Sequence, residues 1–190
     1  SRPRFLAQLV LEDAHGARTI LGTDSSWRAT RSGPRREADL YMGESYDARA
    51  ELGPWSSPGF EASAWSPVDV GPAPAAPLAS HSGPAIRALA EFVPQTITAR
   101  PGGRWLFDLG QNFAGVARLA VEAPAGTQLV LKFGEALEKD GSLLRNTGWA
   151  RATDKYVCKG GGLERWQPRF TYHGFRYVEV AGLTAPPTKD

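Results

Sequence analysis

Cysteine is nearly absent from this chain, and that alone removes two architectures. With Cys158 as the single thiol, neither an internal disulfide framework nor a thiolate metal cluster can form within it. Cys158 follows Tyr156 and Val157 in a strand-like run, where a free cysteine serves as a small apolar residue. No histidine is placed by sequence logic to activate it as a nucleophile. Also missing is any run of about 18 apolar residues, and no basic-then-apolar leader opens the chain. Neither a membrane helix nor a signal peptide is therefore read, and the compartment stays open. Excess charge is lacking too. The 22 Lys and Arg stand against 20 Asp and Glu, for a formal charge of +2, which gives no basic stripe for a phosphate backbone. Nucleic acid is not expected as a partner, nor is a membrane. The sequence carries no GxSxG, HExxH, P-loop or dinucleotide fingerprint, and helical periodicity is scarce.

What is present reads as strands and turns. The 190 residues are 42% apolar, enough for real cores in one large or two small domains. Residues 5–12 and 17–22, joined by Asp13-Ala-His-Gly16, have the pattern of a hairpin, with Gly16 supplying the positive φ of a tight loop. Short runs recur at 104–109, 116–122, 128–133, 153–159, 165–170 and 172–181, separated by Gly, Pro and Asp signals. Helix is confined to short turns such as 60–65. This grammar predicts an all-β, antiparallel β-sandwich. From 71 to 84 the composition shifts to Gly, Pro, Ala and Ser, too proline-rich for a sheet interior. The expected division is a partial β-sandwich over 1–70, a linker over 71–85 and a complete sandwich over 86–190.

Two stretches could carry chemistry. Asp39-Leu-Tyr-Met-Gly-Glu-Ser-Tyr-Asp-Ala-Arg49 gathers three carboxylates, two tyrosines and an arginine, and Trp55 and Trp65 follow in Gly- and Pro-rich loops. A pyranose presents an apolar C–H face and a rim of hydroxyls, so Asp39, Tyr41, Glu44, Asp47, Arg49, Trp55 and Trp65 form a candidate sugar site. The same carboxylates could hold calcium through oxygen ligands, although their spacing matches no EF-hand loop. Equally, Glu44 or Asp47 paired with Arg49 is a sheet salt bridge, and the tryptophans are core or lid residues. Both readings stand at this point. In Asp108-Leu-Gly-Gln-Asn-Phe-Ala-Gly115, Gln111 and Asn112 could bond a ligand or satisfy the turn's own backbone. Glu135, Glu138, Asp140 and Asp154 lie in turn or strand-end contexts that suit ordinary solvation, so no glycosidase-style carboxylate pair can be chosen.

The densest run is Thr171-Tyr-His-Gly-Phe-Arg-Tyr-Val-Glu-Val180. Strand alternation would put Tyr172, Gly174, Arg176, Val178 and Val180 on one face and His173, Phe175, Tyr177 and Glu179 on the other. With no carboxylate that sequence can assign to it, His173 reads as a packed, hydrogen-bonded residue.

Several of these motifs carry a family resemblance. Trp27, the run from Asp39 to Arg49, Pro58-Gly-Phe60 and Ser63-Ala-Trp65 resemble the amino-terminal region of bacterial α-L-rhamnosidases of glycoside hydrolase family 78. Asp108 to Gly115, Gly134-Glu135, Asp140-Gly141, Ala152-Thr-Asp154 and Phe170 to Val178 resemble the concanavalin-like sandwich that follows it. The resemblance implies a jelly-roll or concanavalin-like sandwich preceded by a partial second β-sandwich. It implies a parent enzyme that hydrolyses terminal α-linked L-rhamnose with inversion, on acidic residues of an (α/α)6 barrel that lies beyond this sequence. No catalytic residue is carried over, and the chain alone is expected to be inactive. Its expected partner is that catalytic domain in the same polypeptide. Gln111, Asn112, Tyr172, His173, Phe175, Arg176 and Tyr177 are the expected interdomain or structural residues. The alternative is a lectin-like module binding L-rhamnose-containing glycosides. Some family members bind rhamnose and calcium in the first sandwich, and Met42 departs from the polar residue common there. No other cofactor is expected.

Overall fold

The computed structural model describes residues 4–72, 77, 79–144 and 148–189. Residues 73–76 and 78 of the expected linker lie outside the described residues. Among these described residues, thirteen strands and one turn of 3-10 helix, Ala48–Ala50, make up the regular structure. The strands are β1 Gln8–Glu12, β2 Arg18–Gly22, β3 Arg28–Ala29, β4 Arg35–Asp39, β5 Gly43–Asp47, β6 Ser66–Pro67, β7 Thr96–Arg100, β8 Arg104–Gly115, β9 Leu119–Glu122, β10 Gln128–Gly134, β11 Thr153–Val157, β12 Leu163–Trp166 and β13 His173–Ala181. The chain is all-β, as expected.

Two compact units share these strands. The first comprises Ser1–Ser32 and Pro54–Pro84, the second Gly33–Gly53 and Ala85–Asp190. In the first unit β1 and β2 form the expected hairpin, pairing Glu12 with Arg18 and Gln8 with Gly22. The loop closes because Asp13 Oδ1 accepts from the amides of His15 and Ala17, while Gly16 takes φ 81°. A two-residue ladder joins β3 and β6. Around Trp65 the chain makes a turn, its amide donating to Ala62 O at 2.9 Å, with the indole against Phe60 at 5.6 Å between centroids.

The second unit is a sandwich. Seven strands run in the order β4-β5-β11-β10-β13-β8-β7, and β12 pairs with β9 in a separate two-stranded sheet. Pairing is antiparallel except between β5 and β11, which run parallel with Tyr46 opposite Tyr156. Residues 33–53, read from sequence with the amino-terminal part, thus supply two strands to this sheet. Period-2 patterning builds the core between the layers. Leu129, Leu131 and Phe133 of β10, Tyr156 of β11, Phe175, Val178 and Val180 of β13, Val121 of β9 and Trp166 of β12 form one buried cluster with Cys158. Tyr46 packs against it, stacked on Tyr156 at 5.9 Å, and Tyr156 meets Trp166 at 5.2 Å with the rings tilted. Burial pushes the Cys158 thiol up, away from reactivity.

Alternation in β13 does not run straight through. His173 and Phe175 face the core, and so do Val178 and Val180, because the register breaks between Phe175 and Tyr177. Phe175 opposes Phe113 and Tyr177 opposes Asp108, so Leu109 to Asn112 of β8 bulge out and Arg176 is left over on β13. The bulge exchanges faces, which uniform alternation cannot anticipate. Two further boundaries differ from expectation. The 165–170 run ends as a strand at Trp166, and β9 begins only at Leu119.

Candidate functional site

The polar interior of the sandwich is built around two carboxylates with no exposed surface, Glu44 and Asp154. Glu44 stands in β5 directly after Gly43, whose φ of 103° lets the chain pass against β11. A Cβ at Gly43 would sit 2.1 Å from Thr153 O and 2.7 Å from Asp154 Oδ1, so only glycine fits. Glu44 Oε2 accepts from the amides of Arg169 and Phe170, each at 3.0 Å, and Oε1 lies 3.1 Å from Arg35 Nε. β12 has already ended at Trp166, before Pro168, which has no N–H to give a ladder. Asp154 Oδ1 accepts from the Glu44 amide at 2.9 Å and lies 3.1 Å from His173 Nε2. His173 stacks on Phe133 with centroids 4.1 Å apart, and the Arg35 guanidinium covers the Phe170 ring at 4.4 Å. Asp154 Oδ2 and Thr171 Oγ1 are buried without a hydrogen-bond partner, and so are Arg35 Nε and Glu44 Oε1, which meet only as an ion pair.

This network bears on two expectations. Asp154 is fully buried rather than solvated at a strand end, because the β10, β11 and β13 pairings place it at the inner face with Tyr156. His173 is packed and hydrogen-bonded, as read from the sequence, but with Phe175 it is interior, so of the residues expected on an interdomain face along this strand Tyr172, Arg176 and Tyr177 keep surface. Burying a carboxylate is costly unless it is paired, and here backbone amides and an imidazole hydrogen-bond Glu44 Oε2 and Asp154 Oδ1 while the Arg35 guanidinium meets Glu44 Oε1 as an ion pair.

A second carboxylate clamp fixes the β8 bulge. Asp108 takes a bidentate bond from Arg176, Nε to Oδ1 and Nη2 to Oδ2 at 2.8 Å each, and Oδ1 also accepts from the Gly110 amide at 2.7 Å. The Arg176 bonds hold the Asp108 carboxyl below its usual range, against a smaller effect of burial. Arg176 also lies over the Tyr177 ring at 5.0 Å. Asn112 donates to Glu135 Oε1 at 3.2 Å, and Gln111 is exposed in the bulge. Glu164, on β12, accepts from Tyr156 Oη at 2.8 Å and from the amides of Lys159 and Gly160 at 3.0 Å each. Burial works to raise the Glu164 carboxyl, but these bonds prevail and leave it lowered.

The remaining sequence-singled residues divide between the units. Trp55 and Trp65 belong to the first, and Asp39, Tyr41, Glu44, Asp47 and Arg49 to the second. Asp47 is bound by Arg49 in a bidentate pair at 2.9 and 2.8 Å and caps the 3-10 turn. Asp39 Oδ1 accepts from the amides of Tyr41 and Met42 at 2.8 and 3.0 Å, the main reasons its carboxyl lies below the usual range. Asp39, Glu44 and Asp47 therefore turn to separate partners, and among the described residues no three His, Cys, Asp or Glu side chains are placed to share a metal ion. Tyr41 packs against Trp149, a residue the sequence reading passed over, with centroids 4.8 Å apart and planes tilted by 48°. Near them Ala152 holds φ 44°, a left-handed conformation that costs a non-glycine residue about 1 kcal/mol. Arg35, Thr171 and Glu164 were also passed over. Nothing local marks Arg35, whose partner Glu44 lies on β5, or Thr171, whose hydroxyl has no partner, whereas Glu164 binds the amides of Lys159 and Gly160 only a few residues before it.

Comparison with known proteins bears on the whole chain. The model of the α-L-rhamnosidase N-terminal domain matches residues 1–90, and that of the bacterial α-L-rhamnosidase concanavalin-like domain matches residues 98–190. An α-L-rhamnosidase of Streptomyces avermitilis is 44% identical over 193 residues, covering 98% of this chain and 18% of that protein. One from an Alteromonas species is 35% identical over 191 residues, covering 99% of this chain and 21% of its own length. Among solved structures, the S. avermitilis α-L-rhamnosidase complexed with L-rhamnose superposes with a TM-score of 0.87 at 41% identity, over 96% of this chain and 18% of that one. The α-L-rhamnosidase of Dictyoglumus thermophilum gives 0.89 at 35% identity, over 96% and 21%. The chain spans about a fifth of the length of these relatives.

Proposed function

The chain belongs to the α-L-rhamnosidases in its amino-terminal and concanavalin-like domains, and we propose that it is the accessory β-sandwich region of such an enzyme, bracing a catalytic domain carried elsewhere in the same polypeptide. The hydrolysis of terminal α-L-rhamnosides is then the work of that other domain. One observation carries this reading above the rest: nearly the whole chain superposes on larger rhamnosidases as a slice of about a fifth of their length. The fate of the carboxylates supports it. Glu44, Asp154, Glu164 and Asp108 are each engaged by amides, an imidazole, a phenol or a guanidinium inside the sandwich. Acid and base catalysis needs such groups facing a substrate.

A brace needs a stiff body and a surface to present. The Glu44 and Asp154 network and the Asp108 clamp supply the first. Tyr172, half exposed, with Phe170 near it in the chain and Arg176 and Tyr177 beyond the bulge, supplies aromatic and guanidinium anchors of the kind that dominate protein contacts. The test is enzymatic. The 190-residue chain is expected to release no L-rhamnose from 4-nitrophenyl α-L-rhamnopyranoside, and measurable turnover overturns the accessory role. In a polypeptide joining this chain to a rhamnosidase catalytic domain, Tyr172→Ala with Arg176→Ala is expected to lower the catalytic domain's melting midpoint. An unchanged midpoint overturns the bracing.

A further inference from the structure

We propose that Arg87 is a processing site, cut on its carboxyl side by a serine protease whose specificity pocket carries a carboxylate, and that the cut protein stays together as a two-chain molecule. The inference stands apart from the rhamnosidase reading. Hydrolysis breaks the Arg87–Ala88 amide, the hydroxyl of water going to the Arg87 carbonyl carbon and its proton to the Ala88 nitrogen. No other reactant is consumed.

The segment around this bond is laid open. Every residue from 79 to 93 is exposed, and none of them lies in a strand or helix. Ile86 and Leu89, at 94% and 96%, show about the surface they would have in an extended, unfolded chain. Among the described residues, the only hydrogen bond made by 79–90 is the local one between His81 Nδ1 and Gly83 O. The chain is tied down first at Glu91, which pairs with Arg118 at 2.6 Å, and at Phe92, whose ring meets Phe113 at 4.8 Å. A protease takes its substrate as an extended strand, through backbone bonds on both sides of the cut. Paired strands must open before they can be taken that way; this run need not.

Arg87 is also the one basic side chain between Arg49 and Arg100. Arg49 sits in the 3-10 turn with Asp47 gripping its guanidinium, while Arg100 lies in β7 and gives Nη2 to Gly141 O at 2.7 Å. Lys139 is exposed, but in a turn closed by the Gly141 amide on Glu138 O at 2.8 Å. Arg87 has no such restraint. Its guanidinium is free to enter an acidic pocket, and Ala85, Ala88 and Ala90 leave the backbone on either side uncovered.

The cut divides the covalent chain but not the sandwich. Residues 33–53, with β4 and β5, stay on the 1–87 piece although they belong to the second unit. There β5 runs along β11, and the buried Glu44 gives its amide to Asp154 and takes those of Arg169 and Phe170. Tyr41 O and Met42 O accept from the amides of Ala152 and Thr153, and Ala48 is part of the core cluster. None of these contacts uses 79–90. Losing the tether lowers the effective concentration of one piece at the other and removes no bond between them.

The experiment is limited digestion of the 190-residue chain with trypsin, followed by intact-mass spectrometry. Fragments 1–87 and 88–190 are expected as the first products. Arg87→Gln should slow loss of the intact chain at least about tenfold, because the remaining sites wait on local opening. Arg87→Lys, which keeps a cation for the pocket, should restore cleavage at the same bond. On native size-exclusion chromatography both fragments should elute in one peak at the volume of the intact chain, and they should part in denaturing urea. A first cut at any other bond, or an Arg87→Gln chain lost at an unchanged rate, overturns the site. Fragments that part on the native column overturn the two-chain product.

Discussion

The two units of this chain use the same strand grammar and reach different ends. In the first, β1 and β2 pair in full register over an Asp- and Gly-closed loop, yet Leu9, Val10, Leu11, Ile20 and Leu21 are all about half exposed. No described residue of that unit is buried. In the second, similar short strands enclose an aromatic core and two carboxylates with no exposed surface. Local patterning and turn chemistry suffice to pair strands; an interior requires opposed layers that bury each other's apolar faces. The second unit gains its layers partly from residues 33–53, which come from the middle of the first unit's sequence.

The sharpest way to break that contrast is to withhold those residues. A polypeptide of residues 85–190 lacks β4 and β5, leaving the β11 edge unpaired and stripping Asp154 and the Arg169 and Phe170 amides of their Glu44 partner. It is expected to show no cooperative unfolding by fluorescence or circular dichroism, whereas residues 33–190 should keep the transition. Equal cooperativity in both would show that the segment is dispensable. A point substitution asks the same question more gently. Gly43→Ala forces a Cβ to 2.1 Å from Thr153 O at φ 103° and should cost about 4 kcal/mol or more in urea unfolding. Glu44→Ala should cost about 3–5 kcal/mol, because two amides lose a buried acceptor and Arg35 its ion-pair partner.

How much of this was legible beforehand follows the same division. The β1–β2 hairpin, β10, β11 and β13 could be read because their signals are local: alternation, and Gly or Asp at the turns. The fold class and the family resemblance followed from those and from the motifs near Asp108, Asp154 and His173. β4, β5 and β7 were not foreseen as strands, since a parallel or edge partner leaves no trace in spacing. Asp154 looked solvated because its partners, Glu44 and His173, lie on strands that only the sheet order brings together. The β13 alternation failed at Arg176 for a similar reason: the bulge is set by β8 and by the Asp108 clamp. Trp149 carried no signal in sequence, since its ring partner Tyr41 lies in a distant part of the chain.

Acid should separate the units as well. Asp108 and Glu164 in the sandwich are both lowered when folded, the first mainly by Arg176, the second by bonds that outweigh its burial. A carboxyl that is more acidic in the folded state stabilises fully above its unfolded pKa of about 4, and the contribution is lost as pH falls through the folded value. The melting midpoint of the sandwich is thus expected to be flat from pH 7 to about 5 and to drop below about 4. Asp108→Asn should lower the plateau and make the acid limb shallower. Asp24 in the first unit is also lowered, by Ser26, but it is fully exposed, and Asp24→Asn should leave the sandwich's acid limb unchanged. A shift in that limb on changing Asp24 would contradict the separation.

The smallest effect tests the first unit directly. Leu21 in β2 is 54% exposed and pairs with Leu9, itself 54% exposed, so replacing it with threonine keeps β propensity and removes little buried area. Leu21→Thr should change stability by no more than about 0.5 kcal/mol, as substitutions away from a core do. Leu131 is the matched reference, a leucine in a strand of similar length but only 2% exposed; its truncation to alanine should cost about 2–5 kcal/mol. If Leu21→Thr instead costs more than about 1 kcal/mol, the side chain is covered in solution by something other than the residues described, and its exposure would cease to distinguish the hairpin from the sandwich.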